Sequence, residues 1–109
     1  MLSIHLLLND ETRGFLSAKR LAQLRPGAIL VNTARGALVD ETAMIDGLRS
    51  GRIAHAALDV FDIEPLPPGH ELTTLPNVTL SAHSAFRTPE ASDTLIRRAL
   101  DIAKSVAQE

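Results

Sequence analysis

The sequence predicts an α/β fold: a parallel sheet of about four strands, flanking helices and a helix at the C-terminal end. Three observations carry this. Short apolar runs bracketed by turn residues alternate with stretches of helical period. Two of the helical stretches open on good capping residues, Asp40 and Thr88. The order reads strand, helix, strand, helix, strand, loop, strand, helix, which demands right-handed crossovers between parallel strands.

The first strand is expected over residues 4–8, an apolar run broken by "NDET". Residues 17–24 carry Leu21 and Leu24 near helical spacing, with Leu16 just before them, and Pro26-Gly27 then imposes a turn. "AILVN", Ala28 to Asn32, is almost wholly apolar, the pattern of a strand covered on both faces. Asp40 caps a helix expected over residues 41–50, with Met44, Ile45 and Leu48 on its inner face and Gly51 just past its end. "AHAALDVF", residues 54–61, reads as the third strand. A proline-rich loop follows, and "VTL", Val78 to Leu80, as the fourth. Pro89 at the first helical position and Glu90 in the first turn start the last helix, whose apolar residues Leu95, Ala99, Ile102 and Val106 share a face.

Composition narrows the function. The chain has 109 residues, enough for one domain, and a net charge of -2, which leaves no basic footprint for nucleic acid. It has no cysteine, so thiol catalysis, disulfides and thiolate zinc sites are excluded; the cytoplasm is the natural default compartment. The apolar start is far too short to span a membrane and lacks the basic flank of a leader. Histidines 5, 55 and 70 have no partner at ligand spacing, so no metal site is expected.

In open α/β sheets ligands gather at the carboxyl ends of the strands. The residues falling there are Thr33 and Arg35 after the second strand, Asp59 and Glu64 after the third, and His83 after the fourth. Arginine offers a planar fork to a carboxylate. Histidine exchanges a proton near neutral pH, and a carboxylate beside it favours the imidazolium and orients the ring. Each residue alone also reads as an ordinary loop residue; their placement on one sheet edge sets them apart. Asp59, an acid at the end of a buried strand, needs a partner and reads as functional or networked.

Three stretches, "GAILVNTARGALVDE", "AALDVFDIEPLP" and "LPNVTLSAHSA", closely resemble the D-isomer-specific 2-hydroxyacid dehydrogenases, in the family's order and spacing. The resemblance runs over nearly the whole chain. It implies a partial Rossmann-like, doubly wound parallel sheet, with residues 1–88 as the second half of an NAD-binding domain. Residues 89–109 would form a helix returning to a substrate domain. It implies hydride transfer between NAD or NADP and a small 2-oxo or 2-hydroxy acid. Arg35 matches the residue holding the substrate carboxylate, His83 the proton donor and Glu64 its carboxylate partner. Asp59 matches the contact to the nicotinamide carboxamide, and Thr33, Ala34 and Ser84 lie on segments that pass the nicotinamide.

Ala82 stands where a proline is common, Ser84 to Phe86 where small pairs are common, and Leu7 where many members have proline. The glycines at 14, 27, 36, 47, 51 and 69 give no G-x-G-x-x-G loop. The chain is therefore expected to be inactive alone, and to associate as a homodimer or with a missing amino-terminal half. The alternative is a non-catalytic dimerisation or corepressor-like module on the same fold.

Overall fold

A computed structural model describes residues 1–107. Four parallel strands lie in the order β1-β2-β3-β4: β1 (Leu2–Ile4), β2 (Ala28–Asn32), β3 (Ile53–Leu58) and β4 (Val78–Leu80). Helix α1 (Ala18–Ala22) links β1 to β2 and α2 (Glu41–Arg49) links β2 to β3. Both crossovers step the same way across the sheet, so right-handedness puts both helices on one face. That face holds the core: Ile4, Leu30, Ile53, Ala56 and Leu58 from the strands pack with Leu21, Met44, Ile45 and Leu48 from the helices.

The caps form as expected. Asp40 accepts from the Ala43 amide at 3.0 Å, and Thr88 accepts from the Ala91 amide at 3.1 Å. Gly51 ends α2 at φ 76°, a conformation only glycine adopts cheaply.

Three expectations need correction. The first strand lies at Leu2–Ile4 and not over residues 4–8, because β2 offers it partners only from Leu30 to Asn32. Beyond Ile4 the chain leaves the sheet and Leu7 is 80% exposed. Nor is β2 covered on both faces: Ile29 is 42% exposed, because among the described residues α1 and α2 cover only the other side. The third strand is also shorter than expected. It ends at Leu58, and Asp59 to Phe61 lead into the loop.

The β3–β4 crossover is the proline-rich loop with one 3₁₀ turn, Glu71–Thr73. It is moored to α2 rather than loose. Leu72 is buried, His70 Nε2 meets Glu41 at 3.0 Å, Glu71 pairs with Arg49, and Asn77 donates to the Leu48 carbonyl at 3.1 Å. The last helix, α3 (Pro89–Val106), buries none of its residues. It draws the molecule out to 59 Å in its long dimension, with a radius of gyration of 17.3 Å, where a compact chain of about 100 residues has about 13 Å. The helix was expected to run to 109; residues 108 and 109 lie outside the described residues.

Candidate active site

The carboxyl edge of the sheet is built in three layers. The first is the turn after β2. Asn32 is buried, and its side chain spans that turn: Oδ1 accepts from the Ala34 amide at 3.0 Å and Nδ2 donates to the Arg35 carbonyl at 2.9 Å. This local bonding is what asparagine does well in turns. Arg35 has an extended backbone, and its guanidinium donates to the Ala34 carbonyl at 2.6 Å, with no ion pair among the described residues. Gly36 lets the turn reach the next loop. A Cβ there would lie 2.0 Å from the Phe61 carbonyl carbon and 2.3 Å from the Asp62 nitrogen, so no other residue fits without moving backbone.

The second layer is Asp59, 3% exposed. Its Oδ1 accepts from the Ser81 hydroxyl at 2.5 Å and the Ser84 amide at 2.9 Å; Oδ2 accepts from the Ala85 amide at 2.9 Å. The Asp59 carbonyl accepts from the His83 amide at 2.8 Å. His83 sits at φ 50°, the left-handed turn that brings successive amides to face one anion. Burial pushes the Asp59 carboxyl up, but the Ser81 hydroxyl and the Ala85 and Ser84 amides, aided by the charge of His83, hold it below the usual carboxylate range.

The third layer is the pair Glu64–His83. His83 Nδ1 meets Glu64 Oε2 at 2.7 Å, and Glu64 Oε1 accepts from the Phe61 amide at 2.9 Å. The His83 hydrogen bond is the main cause of a lowered Glu64 pKa; the Phe61 amide and the charges of His83 and Arg35 act the same way, against burial. With Nδ1 taken by an acceptor-only carboxylate, the neutral ring keeps its proton there and presents Nε2 as the free nitrogen. Arg35, Glu64 and His83 together line a cleft of about 390 Å³, with Arg13, Gly36 and Phe61. Its size is that of small-molecule sites. Ala34 and Arg35 also border a neighbouring opening of about 560 Å³ walled by Leu6, Leu7 and Leu8.

Of the expected site residues, Arg35, Glu64 and His83 meet in one cleft. Ala34 borders the adjoining one, Asp59 is buried under the loop of His83, and Ser84 contributes its amide to Asp59. Thr33 is exposed in the turn. The sequence reading missed Asn32, Gly36, Ser81 and Arg13. An asparagine closing an apolar strand at the ligand edge was the available signal for Asn32; Gly36 and Ser81 declare themselves only through space. The other histidines have local partners: His5 bonds Ser3, His55 bonds Thr79 and His70 bonds Glu41. No helix among the described residues is long and apolar enough to cross a membrane.

Comparison with known proteins places the chain in a family. The glyoxylate reductase of Aeropyrum pernix is 49% identical over 106 residues, which is 97% of this chain and 31% of that protein. The D-3-phosphoglycerate dehydrogenase of Mycobacterium leprae is 43% identical over 105 residues, 96% of this chain and 19% of that one. Among solved structures, a putative D-isomer specific 2-hydroxyacid dehydrogenase from Polaromonas sp. JS6 66 superposes with TM-score 0.89 at 32% identity, covering 97% of this chain and 33% of that chain. The D-isomer specific 2-hydroxyacid dehydrogenase of Xanthobacter autotrophicus Py2, solved with NADPH and MES, gives TM-score 0.72 at 52% identity over 74% of this chain and 26% of that chain. The chain thus spans a third or less of these proteins. The family model for the D-isomer specific 2-hydroxyacid dehydrogenase NAD binding domain matches residues 1–85, and the chain belongs to that family.

Proposed function

We propose that this chain supplies the carboxylate-binding and proton-transferring side of an NAD(P)-dependent reduction of a small 2-oxo acid to its 2-hydroxy acid. The observation that carries it is the 2.7 Å contact between His83 Nδ1 and Glu64 Oε2 in the cleft that Arg35 also lines.

Arg35 takes the substrate carboxylate on its planar fork and polarises the adjacent carbonyl. His83, protonated, gives its Nε2 proton to the carbonyl oxygen as that oxygen gains charge, and takes it back in the oxidation direction. Glu64 fixes the ring and its tautomer through the contact at Nδ1. The nicotinamide, NAD or NADP, supplies the hydride when bound. Thr33, Ala34 and Ser84 would flank its amide end, and Asp59, whose Oδ2 accepts one hydrogen bond and keeps a lone pair, would serve an amide donor there. The sequence has no glycine-rich loop to hold a pyrophosphate.

Residues 1–88 act as the second half of the nucleotide-binding domain. Helix α3, with Leu95, Ile96, Leu100, Ile102 and Val106 more than half exposed, seats on protein outside this unit. That is either an amino-terminal half or a second copy.

The test is a graft. Residues 1–106 replace the matching stretch of the Aeropyrum pernix glyoxylate reductase. The chimera reduces glyoxylate with NADPH or NADH; His83→Gln lowers kcat by about 10²–10⁴-fold, the size of a general acid–base contribution, and Arg35→Ala raises KM. A folded chimera that binds cofactor yet works no faster than its His83→Gln variant overturns the proposal.

A further inference from the structure

The cleft carries a second arginine that the chemistry above does not use. Arg13 comes from "NDETRG", residues 9–14, a turn closed by its own side chains. Asn9 Oδ1 accepts from the Glu11 and Thr12 amides at 3.0 and 2.9 Å, and the Thr12 hydroxyl donates to the Leu7 carbonyl at 2.6 Å. The Arg13 amide donates to the Asn9 carbonyl at 2.9 Å.

The turn is then bolted to the segment after Arg35. The Gly14 amide donates to the Ala37 carbonyl at 2.8 Å, the Leu16 amide to the Leu38 carbonyl at 2.9 Å, and the Asp40 amide to the Leu16 carbonyl at 3.0 Å. Gly14 at φ 64° permits the approach. A backbone this constrained fixes which residue overlooks the cleft, and that residue is Arg13.

Two acids share the lining, Asp62 and Glu64. Glu64 is occupied by His83 and the Phe61 amide. Among the described residues, Arg13 makes no ion pair with either of them. One guanidinium satisfies one carboxylate; a second in the same cleft of about 390 Å³ favours a ligand with a second anion.

We propose that Arg13 is a specificity-determining residue that takes a second anionic group, carboxylate or phosphate, on the far carbon of the acid held by Arg35. The inference rests on the reading of Arg35 as the carboxylate anchor.

The test is NMR titration of the 109-residue chain at 0.15 M salt with three acids. Oxamate has one carboxylate, tartronate has two, and D-3-phosphoglycerate has a carboxylate and a phosphate. At least one of the two acids with a second anionic group binds tenfold or more tightly than oxamate, and the tighter of the two identifies that group. Arg13→Gln brings that acid down to the oxamate level and leaves oxamate within twofold; Arg13→Lys keeps most of the gain. Arg25→Gln, a cation outside the cleft, changes nothing. Equal affinities of wild type and Arg13→Gln for all three acids, with Arg35→Ala still weakening each, overturn the role of Arg13 alone. A loss in Arg25→Gln equal to that in Arg13→Gln overturns it too, by reducing it to general charge. No binding of any acid, or binding indifferent to Arg35→Ala, overturns the Arg35 anchor and the inference with it.

Discussion

Two carboxylates lie five residues apart on the segment leaving β3, and both sit below the usual carboxylate range, for different reasons. Asp59 is buried, and burial alone would push it up; one hydroxyl and two backbone amides reverse that. Glu64 is a third exposed at its side chain and is held down first by a titratable ring that borders a cleft. Asp59's donors cannot change state in the working pH range, so it works as a rivet that folds the 81–85 loop over the end of β3. Glu64's main donor is an imidazole, whose proton can sit on either nitrogen. The same segment thus separates holding the loop from holding the ring, and the first is a precondition of the second, because the loop that Asp59 gathers is the one that carries His83.

The harshest way to break this arrangement is Asp59→Ala. It leaves the Ser81 hydroxyl and the Ser84 and Ala85 amides without an acceptor; a fully buried unmet donor costs roughly 1–3 kcal/mol, but Ser81 and Ala85 are exposed and Ser84 half-buried. Partial access of water makes the expected loss about 4 kcal/mol, read as a fall in urea midpoint. The pH profile sharpens it. Both carboxyls have folded pKa values below their unfolded ones. Their contribution is therefore complete above the unfolded values, near 4, and is lost as pH falls through the folded ones. The wild-type midpoint should fall as pH drops below about 5, and Asp59→Ala and Glu64→Gln should each flatten part of that slope. A slope unchanged in either variant would remove that acid from the pH dependence.

Gly36→Ala comes next. A Cβ 2.0 Å from the Phe61 carbonyl carbon must push the Phe61–Asp62 backbone away from the Arg35 turn, at about 3 kcal/mol, the upper range for overpacking. The effect separates the loop of Glu64 from the turn of Arg35 while leaving Asp59's donors in place. Amide shifts should therefore concentrate at residues 34–37 and 61–64 and spare 81–85. Shifts spread evenly across the whole edge would mean that the edge moves as one body.

The parts of this edge visible in the sequence are those fixed by local rules. Asp40 and Thr88 cap their helices because a side-chain oxygen meets an amide three residues on, a relation written within four letters. Arg35, Glu64 and His83 were legible through one topological rule, that parallel strands collect function at their carboxyl ends. β1 was misplaced because an apolar run does not say how far its neighbour extends, and β2 offers only Leu30 to Asn32. Gly36 and Ser81 were invisible for the same reason at longer range: the first answers to backbone 25 residues on, and the second to an acid 22 residues back. Arg13 is brought over the cleft only by the pairing of its turn with the 37–40 segment, a relation no local rule carries.

Glu64→Gln is the mildest for the fold and the most direct for the chemistry. The pair is partly exposed, so its loss should cost no more than about 1 kcal/mol. Yet Glu64 accepts two hydrogen bonds on two oxygens, from the Phe61 amide at Oε1 and from His83 Nδ1 at Oε2. Glutamine has one oxygen. The Phe61 amide can only donate, so the oxygen goes to it and the amide NH₂ turns to His83. Nδ1 must then accept, and the neutral ring moves its proton to Nε2. That removes the free Nε2 lone pair that takes a proton from the 2-hydroxy acid. Long-range ¹H–¹⁵N spectra of the His83 ring, recorded above its titration, should show the Nδ1–H tautomer in the wild type and the Nε2–H tautomer in Glu64→Gln, with a nearly unchanged urea midpoint. An unchanged tautomer would make Glu64 a second rivet like Asp59 and remove the distinction between the two acids.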